Sequence, residues 1–245
     1  MADDLKIHEE RLEAAWKAIQ AFRTRKGVTH LPGGSGFIQE LSPEDIALAL
    51  STHKVLEELQ SSVTVLESRV QAEDRPTAAK GLLAKCYLGI ALMGVERASG
   101  DWPVFIPKIE ALYAGADKLD DEAAIATCLV QAKVAYAEDL VQRVETSGLL
   151  PGGGFVMHLT GPMESVRMIR RVMGDARNVL NQNSRGVATT DVTQRLDEID
   201  AFLSRIGDGA ALEREQKNTL DRVSRQSAMR NSGRKKATKP WWKIW

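Results

Sequence analysis

The chain has 245 residues, with 33 Lys and Arg balanced by 33 Asp and Glu, and 43% of it is hydrophobic. That apolar fraction supports one or two packed domains and excludes a disordered polyelectrolyte, while two cysteines exclude a disulfide-built scaffold. The zero net charge divides at Arg222: residues 222–245 hold eight basic residues and no acid, so residues 1–221 carry 25 basic against 33 acidic groups, a net −8.

Met1 to Lys6 includes two acids, and no apolar run with a small-residue cleavage site follows, so no secretory signal is expected. Leu5, Leu12, Ala15, Ile19 and Phe22 fall on one stripe and predict an amphipathic helix over 4–25, ended by Gly27. A loop follows through His30, Leu31, Pro32 and the glycines to Gly36. Ser42 then supplies an N-cap, Pro43 a first helical position, and Glu44 and Asp45 two acids that suit the positive end of the helix dipole. The helix they open is expected to reach about Asp74, ahead of Pro76. Within it Leu56, Leu59, Val63, Leu66 and Val70 repeat at heptad spacing, and at ~1.5 Å per residue it is on the order of 45 Å long. Such a length suits a helical bundle better than a compact α/β enzyme.

Thr77–Ala98 reads as a central helix. Its most apolar stretch, Leu82–Val95, is 14 residues with Lys85 inside it, short of the roughly 20 a bilayer needs, so a buried helix is expected. Gly81, Gly89 and Gly94 lie near one another on its wheel, which points to close helix approach, because each glycine otherwise costs up to ~1 kcal/mol there. Cys86 and Cys128 sit in apolar runs without a Cys or His at ligand spacing, as reduced core residues of a cytosolic-type protein would. Asp101, Trp102, Pro103 and Pro107 mark a break, with a short helix over 104–117. Asp120, Asp121 and Glu122 cap a helix over 121–147 that is apolar on more than one side and should be largely buried. Pro162 opens a helix to about Asn181, basic on one face through Arg167, Arg170, Arg171 and Arg177. Asp191–Ile206 is a further amphipathic helix, and Gly207, Asp208 and Gly209 turn the chain into a polar helix over 210–231. Almost nothing alternates with period two. The expected fold is therefore an all-α multi-helix bundle of eight helices, with an N-terminal helical lobe over 1–147, a C-terminal helical lobe over 148–231 and a basic, Trp-rich tail over 232–245.

Two loops echo each other 119 residues apart: LPGGSGFIQELSPED from Leu31 and LPGGGFVMHLTGPME from Leu150. Each follows a long helix and precedes one opened by a proline, which suggests duplication of a helix–loop–helix unit. Glycines at positive φ would let Phe37 and Phe155 fold back onto a helix pair, leaving Gly33, Gly34, Gly152 and Gly153 as candidate contact residues. An anion-binding reading lacks the Gly-Lys-Ser/Thr of a P-loop. Ser35 lacks the final glycine of a nucleophile elbow, and the second loop has no serine at all.

No catalytic constellation emerges. His8, His30, His53 and His158 are scattered, without a metal-ligand partner one helical turn away. Glu9 with Glu10, Glu57 with Glu58, and Asp120 with Asp121 read as caps or solvated faces, and Asp197, Glu198 and Asp200 as the polar side of a helix. No enzyme, no cofactor, no metal and no small-molecule substrate are expected.

The tail is the most distinctive segment. Ser232 and Gly233 read as a hinge into an extended arm, where Arg234, Lys235, Lys236, Lys239 and Lys243 accompany Trp241, Trp242 and Trp245, three of the chain's five tryptophans. An exposed indole regains on the order of 2–3 kcal/mol on burial, so the arm should have a destination. A neighbouring copy with its −8 body is the favoured one, which implies a homo-oligomer. The alternatives are nucleic acid, with the arginines of 162–181 joining the tail in one basic track as in a nucleocapsid-type packaging protein, and an anionic membrane surface, as for a peripheral scaffold. The expectation is a cytoplasmic, non-enzymatic structural or assembly protein.

Overall fold

The computed structural model describes residues 2–24, 43–72, 77–96, 102–116, 121–146, 148–149, 155–156, 161–183 and 189–237. Among them are eight helices: α1 (Ala2–Thr24), α2 (Pro43–Ala72), α3 (Thr77–Glu96), α4 (Trp102–Ala114), α5 (Asp121–Thr146), α6 (Pro162–Gln182), α7 (Thr189–Ile206) and α8 (Ala210–Ala237). One two-residue antiparallel ladder, β1 (Gly148–Leu149) with β2 (Phe155–Val156), pairs Gly148 with Val156 and Leu149 with Phe155. The fold is an all-α bundle, as expected, and no described helix is long and apolar enough to cross a membrane.

The chain forms two compact units. The first takes residues 1–139 and 172–196, the second residues 140–171 and 197–245. In the first unit α1, α2 and α3 pack on one another and α4 packs on α3. The α1 stripe buries Leu12, Ala15 and Ile19, and His8 shares that face. From α2, Leu56, Leu59, Val63 and Leu66 are buried and Val70 is half-buried, so the apolar repeat is the face that enters the core. α3 is buried from Gly81 to Met93 except at Lys85. Gly89 explains part of that density: a Cβ there would lie 3.3 Å from Leu59 Cδ2 and 3.5 Å from Leu12 Cδ1, so α1 and α2 approach α3 where it has no side chain.

Two boundaries differ from the expectation. The break read at Asp101–Pro103 comes earlier, because α4 already begins at Trp102. Pro103 occupies the second helical position, where no intrahelical N–H bond is needed, and Trp102 is fully buried, 6.3 Å ring to ring from Tyr136. Pro107 lies inside the helix. The second difference is the hinge expected at Ser232–Gly233. α8 runs through both residues to Ala237. One interior glycine costs only about 1 kcal/mol, and the Arg, Lys and Ala residues after it are strong helix formers whose cations suit the negative end of the dipole.

In the second unit α6 contributes Ser165, Val166 and Ile169, and α7 Ile199, Phe202 and Leu203, to the buried face. The turn from α7 to α8 needs its glycines: Gly207 has φ 65° and Gly209 φ 78°. The N–H of Ala210 donates to Asp208 Oδ1 at 3.0 Å, capping α8. Ser42, Asp120 and the first echo loop lie outside the described residues.

Candidate functional site

α8 is the only described part of the basic arm. Between Ala210 and Arg225 none of its described side chains is buried; Leu212, Gln216 and Thr219 form a half-buried stripe, and the rest are exposed. Its acids, Glu213, Glu215 and Asp221, all precede Arg222, but Arg214 and Lys217 stand among them, so the helix is mixed in charge up to Asp221 and purely basic from Arg222 on, with Glu213 in its first turn. That order matches the helix dipole at both ends. Glu213 also accepts from the N–H of Met163 at 3.2 Å, tying the start of α8 to the start of α6. Arg234, Lys235 and Lys236 fall within the α8 backbone, with their side chains outside the description, and Lys239, Trp241, Trp242, Lys243 and Trp245 lie outside the described residues altogether.

The arginines of α6 are placed individually. Arg167, with its side chain 70% exposed, lies 3.8 Å from Glu164. Arg170 donates to the Gly207 carbonyl at 2.9 Å and so helps hold the α7–α8 turn. Arg171 is exposed; Arg177 is half-buried and belongs to the first unit. Of the loop residues, Phe155 is placed by its backbone in β2, while Gly33, Gly34, Phe37, Gly152 and Gly153 lie outside the described residues.

Of the acidic pairs singled out, Glu9 with Glu10 and Glu57 with Glu58 lie at the surface, while Asp120 and the side chain of Asp121 lie outside the description. Glu57 lies 3.2 Å from His53, and Glu58 4.0 Å from Lys54, each one turn away on the surface of α2. Glu9 and Glu10 are exposed. His30 and His158 lie outside the described residues, and no three His, Cys, Asp or Glu side chains gather at metal-binding distance among the described ones. The buried thiols are poor nucleophiles. Burial, with Cys128 nearby as the second cause, pushes Cys86 up to about 12, and burial pushes Cys128 up to about 11.

One concave feature escaped the sequence reading. In the first unit, α1, α3 and α5 enclose a cleft of about 700 Å³. α1 lines it with Glu9, Leu12, Glu13 and the half-buried Trp16; α3 adds Gly81, Leu82, Lys85 and Leu88. Thr127, Cys128 and Gln131 come from α5. Glu13 pairs with Lys17 at 2.8 Å, which holds its carboxyl below the usual range through that hydrogen bond and the neighbouring charge. The signals were Lys85, a cation inside the most apolar stretch of α3, and Trp16, a large aromatic on a short apolar stripe. Neither is legible as a groove until three helices are brought together.

Comparison of the chain with protein-family models, with curated proteins and with solved structures finds no match.

Proposed function

We propose that this chain is a non-enzymatic structural protein that self-associates, with its basic, Trp-rich C-terminal segment docking onto a neighbouring copy. The observation that carries this reading is α8: 28 residues, mixed in charge up to Asp221 and purely basic from Arg222 on, with no buried side chain among those described between Ala210 and Arg225. A helix of that length is about 42 Å long. Without an apolar face it draws little stability from packing, and a partner surface would supply what the chain alone does not. The basic C-terminal end continues into Trp241, Trp242 and Trp245, residue types that anchor interfaces when they fill pockets. Residues 1–221 carry the opposite charge, −8 against +8 beyond them, so a second copy is an electrostatically suitable partner.

The test compares the full chain, a chain ended after Ala237, and the Trp241→Ala, Trp242→Ala, Trp245→Ala triple variant by light scattering over a concentration series. Self-assembly through the arm requires a mass above the monomer that falls in both altered chains. Retention of single-stranded RNA that falls steeply with salt, with a monomeric chain, would instead favour nucleic-acid packaging. Co-sedimentation with vesicles rich in phosphatidylserine, again with a monomeric chain, would favour a membrane scaffold.

A further inference from the structure

We infer that the cleft enclosed by α1, α3 and α5 is the seat for Lys239–Trp245 of a second copy of this chain. The inference rests on the assembly reading above and names the surface that reading leaves open. The walls have an apolar part, lined by Leu12, Trp16, Leu82 and Leu88. Trp16 is half-buried, so one part of its ring is available for an incoming indole to pack against in an offset or edge-to-face arrangement. At about 700 Å³ the cleft is in the size range, roughly 300–1,000 Å³, of sites that enclose a drug-sized molecule, which is the scale of one or two indoles with their backbone. Gly81 lies inside α3, where glycine costs about 1 kcal/mol relative to alanine, and it lines the cleft.

Overall charge and ring content favour this occupant. Within the lining Glu9 stands against Lys85, and Glu13 is already paired with Lys17, so the attraction comes from the −8 of residues 1–221 as a whole. The segment Lys239–Trp245 offers two lysines flanking Trp241 and Trp242, with Ile244 and Trp245 after them, and no acid. Apolar rings can enter while the ammonium groups remain in water, the arrangement in which long cationic side chains keep their hydration.

The test uses the full chain carrying a photoreactive phenylalanine at Ala78, an exposed position on the cleft, mixed with a differently tagged full chain and irradiated. Intermolecular adducts should map to residues 240–245. Ala78→Arg and Glu9→Arg, both at exposed positions, should each weaken association at least about tenfold with an unchanged thermal midpoint, and neither should weaken it further in the triple Trp→Ala background. Association that is lost in the triple Trp variant but indifferent to both cleft variants, with adducts absent or elsewhere, overturns this seat and leaves the assembly reading standing. Association that survives the triple Trp variant overturns both. If Ala78→Arg lowers the midpoint, Glu9→Arg and the adduct map decide.

Discussion

Lys133 Nζ lies 2.5 Å from Glu110 Oε1, and the lysine side chain is only 5% exposed while that of Glu110 is 46% exposed. Asp175 Oδ2 lies on the other side at 3.7 Å. A helix read as apolar on more than one side thus places a cation in the core of the first unit and reaches two neighbouring helices for its counter-charges. Breaking a buried pair by removing one partner leaves a desolvated charge, whereas removing the charge itself does not. Glu110→Ala is therefore expected to cost about 1–3 kcal/mol, discounted for the exposure of the glutamate, and Lys133→Met to cost less. Chemical denaturation of both variants and of the double variant checks the order; equal costs would contradict it.

The two glycines best described in the helical framework should respond to alanine with opposite signs. Gly209 has φ 78°, and a Cβ on it would lie 3.1 Å from the backbone C and O of Pro162. Gly209→Ala is expected to destabilise by about 1–3 kcal/mol, because neither the dihedral nor the neighbouring backbone can yield. Gly174 lies inside α6 with nothing within 4 Å of its Cβ position. Gly174→Ala should stabilise by about 0.5–1 kcal/mol. Thermal midpoints of the two variants decide the matter.

Acid and alkaline behaviour should both run through Tyr87 and Glu67. The Tyr87 hydroxyl donates to Glu67 Oε1 at 2.5 Å, and Lys108 Nζ donates to the same oxygen at 2.9 Å while standing 5.1 Å from the Tyr87 ring centroid. The Tyr87 hydrogen bond first, then that of Lys108, holds the Glu67 carboxyl below its ordinary range. A depressed carboxylate contributes stability above its unfolded-state pKa and loses it as pH falls through the folded-state value, so the loss belongs below the usual carboxylate range. Burial, then the bond to Glu67, raises Tyr87. Its contribution is complete below the ordinary tyrosine pKa and is lost as pH rises through the folded-state value. Tyr87→Phe is expected to cost about 1 kcal/mol near neutrality and to flatten the dependence of stability on pH at both extremes, measured by denaturation from acid to alkali.

Both cysteines should resist alkylation in the folded chain. Thiolate is the reactive form, and Cys86 at about 12 and Cys128 at about 11 hold very little of it at pH 8. Their reaction with iodoacetamide is expected to be at least about a hundredfold slower than that of a free thiol and to reach the normal rate in denaturant. A fast native reaction at Cys128, which lines the cleft, would show that the cleft opens.

Most helices were legible because their signals are local. Pro43 and Pro162 sit at first helical positions, Gly207 and Gly209 have the left-handed backbone that ends one helix and begins another, and the apolar spacing of Leu56, Leu59, Val63 and Leu66 names the buried face directly. These effects depend on neighbours within one or two turns, which the order of residues contains. The candidate arm was legible only as composition, and its helical continuation through Gly233 was not: Ser232 and Gly233 read as a hinge, whereas the strong helix formers after them carry α8 on to Ala237. Local reading also treated Trp102 as part of a break and His8 as a scattered histidine, and did not single out Lys133. All three are buried, and burial is decided by what other helices bring against them. The cleft is the clearest case, since Trp16, Lys85 and Cys128 come from three helices and no spacing within any one of them encodes their meeting. Helix identity follows from short-range hydrogen bonding and dihedral preference, whereas concavity and charge pairing arise only when packed helices exclude water between residues far apart in the chain.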